Sequence, residues 1–326
     1  MSEDLRPEEL DLPASIRDGK VVEGREGRLF LANDSNHVLD QHSGALRFDD
    51  DQLRQWRLVL ETRTAWLERR GSPHFFLVAP NAHSVYPDML PPGLPSAPER
   101  PVHQLLGHLR EHESFARVVY PLEALAAADE NAYPKTGSHW SPLGASIACA
   151  ALVEEIRREA PVEGPAPDAY EFLTLTPFFG DLGAKMQPQM TSAFVQADPR
   201  AARARRVFDN RVRNTGRRVI FEWDDVGAGP HCMVYGDSYA MRVLPFLAES
   251  FARLTFVHMA TLDFDLARAL EPDVVVGITN ERFLISVPQD VPAKTHAEVE
   301  AERIAAGDVL PPKKRDHLGR PLSQAR

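Results

Sequence analysis

The sequence predicts an α/β fold built on a mainly parallel sheet with helices on both faces. Three observations lead there. Short, nearly all-apolar runs recur along the chain, at His74 to Pro80, His231 to Tyr235, Thr255 to Met259 and Asp273 to Ile278. Such runs suit strands that are buried on both faces, as parallel strands are. Segments with helical apolar spacing lie between them, and this alternation is the signature of crossover connections. The 326 residues, 43% hydrophobic and 26% charged, hold enough apolar material for a full core.

Each element follows from local chemistry. Residues 1–20 form an acidic, proline-bearing tail. VVEGREGRLFLAND then reads as two short strands joined by a turn at Gly24 and Gly27. Asp49 to Asp51 cap a helix whose apolar positions Leu53, Trp56, Val59, Leu60, Trp66 and Leu67 fall mostly on one face, and Gly71 ends it. A helix at Pro101 to His112, a strand at Ala116 to Tyr120 and a long helix from Pro142 to about Ala160 come next. Downstream are a strand at Arg218 to Trp223 and helices at Tyr239 to Leu254 and Asp263 to Leu270. Residues 161–216 break the alternation and read as an insertion or lid with some helix. The expected organisation is one α/β domain over 21–288 that carries this insertion. Residues 289–326 follow as a short polar helix around Ala297 to Ala306 and a flexible tail.

Composition excludes several function classes. A formal net charge of −10 argues against nucleic-acid binding. The stretch from Arg200 to Arg218 runs the other way, with eight arginines and one acid, and reads as a solvated basic segment or an anion-attracting patch. The N-terminus has neither a signal-peptide nor a transit-peptide pattern, which sets a cytoplasmic expectation. Apolar stretches stop well short of the ~18 residues of a membrane span, so no direct membrane insertion is expected. Cys149 and Cys232 lack CxxC spacing and read as core residues. His108 and His112 are four apart without an HExxH pattern or an evident third ligand, so neither metal nor cofactor is expected.

Two segments carry chemistry. In Cys232 to Ala240 (CMVYGDSYA) an apolar strand ends at Gly236-Asp237-Ser238 and a helix begins at Tyr239. A serine on that turn stands at the strand's carboxyl end, beside free helix N–H groups that can stabilise an oxyanion. In Tyr133 to Ala145, Ser141-Pro142 is an N-cap and first-turn pair, which places His139 just before a helix N-terminus. The dipole there disfavours a second proton and keeps the imidazole neutral, as a general base requires. Asp237 reads as a turn-bonding residue. Trp140 and Tyr239 offer flat faces to a sugar, or packing surface. Asn280, Glu281 and Arg282 follow a strand and read as lining its carboxyl edge, where Arg282 clamps an acidic group or pairs internally.

His139-Trp140 followed later by Gly-Asp-Ser resembles the SGNH-hydrolase-like domain of the alginate O-acetyltransferase (AlgX/AlgJ-type) family. The loop from Pro80 to Pro91 (PNAHSVYPDMLP), Gly180-Asp181-Leu182, PDVVVGITNERFL from Pro272 to Leu284 and the opening GREGRLFL are similar to family stretches in the same order. The resemblance implies a flavodoxin-like three-layer sandwich and a Ser-His-Asp triad that transfers acetyl groups to polysaccharide hydroxyls. Ser238 is the implied nucleophile and His139 the implied base. The family's aspartate stands two places before the histidine, and that place is Gly137 here.

Three solutions stay open at this point: a carboxylate from elsewhere (Glu281, Asp129 or Glu130), a dyad oriented by a backbone carbonyl, or loss of catalysis. The expected function is therefore a serine-dependent O-acyltransferase or acetylesterase working through an acyl-serine. Its partners would be an acyl donor, a carbohydrate-like acceptor and, in a further expectation, an acyl-supplying protein. The alternative is a non-catalytic carbohydrate-binding or assembly protein. Thioester or phosphoester hydrolysis, with the arginine-rich stretch beside the pocket, is the other enzymatic reading.

Overall fold

The computed structural model describes residues 19–311 apart from 33, 113–116 and 129–130. Nearly all of the expected acidic tail, and the chain beyond residue 311, lie outside the described residues. In chain order the elements are β1 (Val21–Glu23), β2 (Leu29–Leu31), α1 (Val38–Ser43), α2 (Asp50–Glu68), β3 (His74–Ala79), α3 (Ala82–Val85), α4 (Pro101–Glu111) and β4 (Val118–Val119). After these come α5 (Leu122–Ala126), α6 (Pro142–Ile156), β5 (Tyr170–Phe178), β6 (Ser192–Pro199), β7 (Arg205–Asp209) and β8 (Arg218–Glu222). The last are β9 (His231–Gly236), α7 (Ala240–Leu247), β10 (Arg253–His258), α8 (Phe264–Leu270), β11 (Val274–Asn280) and α9 (His296–Ala305).

The central sheet has seven strands in the order β4-β3-β11-β9-β10-β8-β7. The first five run parallel, and β8 and β7 add antiparallel at one edge. Alternation along the strands divides the core in two. Phe75, Leu77, Val234 and Val276 pack with Ala148, Leu152, Val243 and Leu244 of α6 and α7. Phe76, Val78, Met233 and Val275 face the other way, toward α2, α4 and α8. The two layers of helix on one sheet make this the expected three-layer α/β sandwich on a mainly parallel sheet. Local signals set the helix starts: Asp49 and Gln52 form a capping box on α2, and the Ser141 hydroxyl accepts the Gly144 N–H (3.1 Å) at the head of α6.

Residues 161–216 differ from expectation. They form the β5–β6 hairpin and β7, and their helix is limited to a 3-10 turn at Gly183–Lys185. The aromatic and β-branched run YEFLTLTPF is strand chemistry, and β7 is held by pairing with β8 in spite of its arginines. The arginine-rich stretch is largely neutralised where it stands. Arg205 pairs with Asp224, Arg206 and Arg217 with Asp209, Arg213 with Asp308, and Arg200 with Glu171. Arg203 lies over the Trp223 ring at 3.8 Å. The helix expected to reach Leu254 ends at Leu247, passes through a 3-10 turn to Ser250 and gives way to β10. Among the described residues no helix is long and apolar enough to cross a membrane.

Candidate active site

The site lies at the carboxyl end of β9. A Cβ on Gly236 would sit 2.1 Å from the Ile278 carbonyl oxygen, so only glycine lets β9 and β11 close up at this point. The Asp237 N–H donates to that same carbonyl (3.2 Å). Its carboxylate accepts from the Tyr239 N–H (2.8 Å), the Asn280 N–H (2.7 Å) and the Thr279 hydroxyl (3.3 Å). The turn is thereby tied to both its own helix and the neighbouring strand, and it presents Ser238, half-buried, between them. Burial pushes the Asp237 carboxyl up, against the pull of the Asn280 and Tyr239 N–H groups.

His139 stands two residues before the Ser141 cap of α6, and its Nε2 lies 2.9 Å from Ser238 Oγ. The imidazole stacks on the Tyr239 ring, with centroids 4.7 Å apart and planes 29° from parallel. The Tyr239 hydroxyl donates to the Ser138 carbonyl (2.5 Å) and accepts from Arg282 Nη1 (3.1 Å). Burial is the main cause that lowers the His139 pKa, to about 4; Arg282 and Arg242 add to it and Asp181 opposes it. The expected neutral imidazole thus arises from desolvation and nearby guanidinium groups.

On its other edge, His139 Nδ1 lies 3.1 Å from Ser138 Oγ. Ser138 Oγ in turn donates to Asp181 Oδ2 (2.6 Å), and the Ser138 N–H donates to Asp181 Oδ1 (2.8 Å). Desolvation pushes the Asp181 carboxyl up, but the two Ser138 bonds, with His139 and Lys185, outweigh it and leave the pKa below the ordinary value. Backbone bonds bring the two loops together: Leu182 N–H and Gly183 N–H both donate to the Thr136 carbonyl (3.1 and 3.0 Å). A Cβ on Gly180 would lie 1.9 Å from that oxygen, so this approach requires glycine.

The other residues anticipated near the site turn inward. Trp140 is fully buried, edge-on to Tyr239, and its indole N–H donates to the Tyr239 carbonyl (3.2 Å), so it packs and offers no sugar platform. Tyr239 is buried too, and its face is taken by His139. Asn280 donates to the Ala79 carbonyl (2.8 Å) and accepts from Arg282 Nη1 (3.0 Å). Arg282 also reaches Asn81 Oδ1 (3.2 Å). Glu281 binds the Ser84 hydroxyl and the Tyr120 hydroxyl (2.5 Å) in place of His139. All three side chains are buried under the strand ends and turn to internal partners, because charged groups there must find them. Asp129 and Glu130 lie outside the described residues. Sequence reasoning missed Ser138 and the role of Asp181; the Gly180-Asp181-Leu182 signal was legible, but its contact with residues 136–138 was not.

A family model described as "SGNH hydrolase-like domain, acetyltransferase AlgX" matches residues 21–253. The probable alginate O-acetylase AlgJ of Pseudomonas putida is 28% identical over 210 residues, 63% of this chain and 49% of its own length. That of Pseudomonas syringae pv. tomato is 24% identical over 163 residues, 49% of this chain and 41% of its own. The chain therefore spans about half the length of the curated relatives it matches, or less. Among solved structures, the O-acetyltransferase domain of P. putida AlgJ matches 87% of this chain and 99% of its own, with a TM-score of 0.55 at 18% identity. Bacillus cereus PatB1 matches 81% and 96%, with a TM-score of 0.62 at 12% identity. A DHHW family protein from Eubacterium siraeum matches 90% and 96%, with a TM-score of 0.57 at 17% identity. These structural likenesses speak for the fold, and the family model decides the family: the chain belongs to the AlgX-type SGNH hydrolase-like domain family.

Proposed function

We propose that this chain is a serine-dependent O-acyltransferase or acetylesterase that acts on a carbohydrate or glycosylated substrate. The observation that carries the reading is the 2.9 Å contact between His139 Nε2 and Ser238 Oγ at the carboxyl end of β9. Neutral His139 takes the Ser238 proton as Oγ attacks the donor's ester carbonyl. Among the described residues nothing takes up the Ser238 backbone N–H, which is offered to the oxyanion. His139 then returns the proton to the leaving alkoxide. In the second half a sugar hydroxyl, or water, gives its proton to His139 and attacks the acyl-serine; the acyl–Oγ bond breaks and His139 returns that proton to Ser238 Oγ, restoring both residues. Family membership and the names of the AlgJ relatives, probable alginate O-acetylases, support acetyl transfer to a carbohydrate. An acyl-supplying protein is the further partner of this reading.

Gly137 favours a second reading, a carbohydrate-binding or assembly protein that has lost catalysis. Turnover of p-nitrophenyl acetate by wild type, Ser238→Ala and His139→Ala, each checked for folding by circular dichroism, separates the two. The enzymatic reading expects both variants to lose at least about 10³-fold in turnover. If wild type is no faster than the variants, and a sugar acceptor restores no Ser238-dependent transfer, the binding reading takes its place.

A further inference from the structure

We infer that Asp181, acting through the Ser138 hydroxyl, is the carboxylate that orients His139, in place of the aspartate that Gly137 has lost. Its catalytic consequence rests on the function proposed above; the geometry does not. The argument is one of donors and acceptors. Ser138 Oγ carries one proton and lies 2.6 Å from Asp181 Oδ2, an ionised carboxylate that only accepts, so the hydroxyl donates to it. The Ser138 oxygen is then left as an acceptor toward His139 Nδ1 at 3.1 Å. His139 must therefore carry its proton on Nδ1, and the bare Nε2 lone pair faces Ser238 Oγ at 2.9 Å. This is the tautomer a general base needs.

The substitution is local. A Cβ built on Gly137 would lie 3.6 Å from Asp181 Oδ1, so the carboxylate of the 180–182 loop stands beside the place from which an aspartate at 137 would extend. The second bond, from the Ser138 N–H to Asp181 Oδ1, fixes the carboxylate's rotation and aims Oδ2 at the hydroxyl. Asp181 is an exposed residue and one oxygen removed from the imidazole, so solvent weakens its stabilisation of the imidazolium. Asp181 and Ser138 are positioning residues, and their loss should cost less than the ~10⁴ of a directly bonded triad aspartate.

The test uses the whole chain and two independent readouts. With p-nitrophenyl acetate, Asp181→Asn and Ser138→Ala should each lower kcat by about 10- to 1,000-fold while leaving KM within about twofold. Their combination should be no worse than the poorer single variant, because the two act as one unit. Ser138→Thr, which keeps the hydroxyl, should hold most of the turnover.

In parallel, ¹⁵N-histidine NMR should find neutral His139 in the Nδ1–H tautomer, with the signal assigned through His139→Ala. In Asp181→Asn that preference should fall, and the imidazole's acid midpoint should move lower, because a charge that favoured protonation is gone. Folded Asp181→Asn and Ser138→Ala variants with wild-type turnover, alongside an inactive His139→Ala, would refute the relay and leave the proposed function standing. If wild type shows no Ser238-dependent turnover, the function fails and NMR alone decides. An Nδ1–H tautomer lost in both variants then upholds the arrangement, and an Nε2–H tautomer, or one indifferent to both changes, overturns it.

Discussion

Asp237 and Asp181 approach the Ser238–His139 pair from opposite sides and are held in different ways. Asp237 is fastened by two backbone N–H groups and a threonine hydroxyl from the β9 turn and β11, and burial raises its pKa. Among the described residues the Asp181 carboxylate is bonded to Ser138, the side chain is exposed between the buried Gly180 and Leu182, and its pKa is lowered. The first is built into the backbone and sets where Ser238, the proposed nucleophile, sits. The second meets His139, the proposed base, through one hydroxyl and, in the proposed relay, sets where its proton sits. Two carboxylates in one site can thus divide rigidity from proton placement, and substituting either should reveal which job it has.

The largest effect that would break this division is on rate. Asp181→Asn should fall about 10- to 1,000-fold in turnover with a nearly unchanged denaturant midpoint, since an exposed residue with one partner holds little of the fold. A variant that instead unfolds early would make Asp181 a structural residue like Asp237. Next comes Asp237→Asn, which exchanges a carboxylate oxygen for an amide that cannot accept both N–H groups. It should lose about 1–3 kcal/mol of stability in a urea titration and misplace Ser238. Unchanged stability would show that the turn does not depend on the carboxylate.

A smaller effect is expected at Tyr239→Phe, which keeps the ring under His139 but removes the hydroxyl between the Ser138 carbonyl and Arg282. The expected loss is about 1 kcal/mol, with turnover reduced less than in Asp181→Asn. Acid sharpens the comparison for the base itself. Burial first lowers His139 and His83 to about 4 and His74 to about 3. In each case the folded pKa is below the unfolded value near 6.5, so the unfolded chain binds more protons in between. Stability should be full above pH 6.5 and fall as pH drops toward 4, by up to about 1.4 kcal/mol per pH unit for each buried histidine. Thermal melts across that window measure it, and a flat profile would contradict the burial of these rings.

Ser238 and His139 were legible because each sits at a boundary that its own neighbours specify. An apolar strand running into Gly-Asp-Ser announces a strand-end turn, and Ser141-Pro142 announces a helix start. Asp237 was legible as a turn residue for the same reason. Asp181 was visible only as part of a motif, because its partner is fixed by the Thr136 carbonyl's contacts across a loop–loop packing that no local pattern encodes. Arg282, Glu281 and Asn280 were placed at the correct strand end, with Arg282 either clamping an acidic group or pairing internally, and it is the internal pairing that the structure shows. Their partners Asn81, Ser84, Tyr120 and Ala79 come from distant segments, and the burial of those segments decides that the charges turn inward. The 161–216 region was read as an insertion or lid with some helix, while pairing of β5 with β6 and of β7 with β8 made much of it strand.

The most direct test of the central claim, that Ser238 carries the acyl group, is mass spectrometry of the intact protein and its peptides after brief exposure to p-nitrophenyl acetate and an acid quench. The account predicts one added acetyl group on Ser238 in wild type and none in Ser238→Ala. A wild-type chain without acetyl at Ser238, or equal acetylation of the alanine variant, would contradict it.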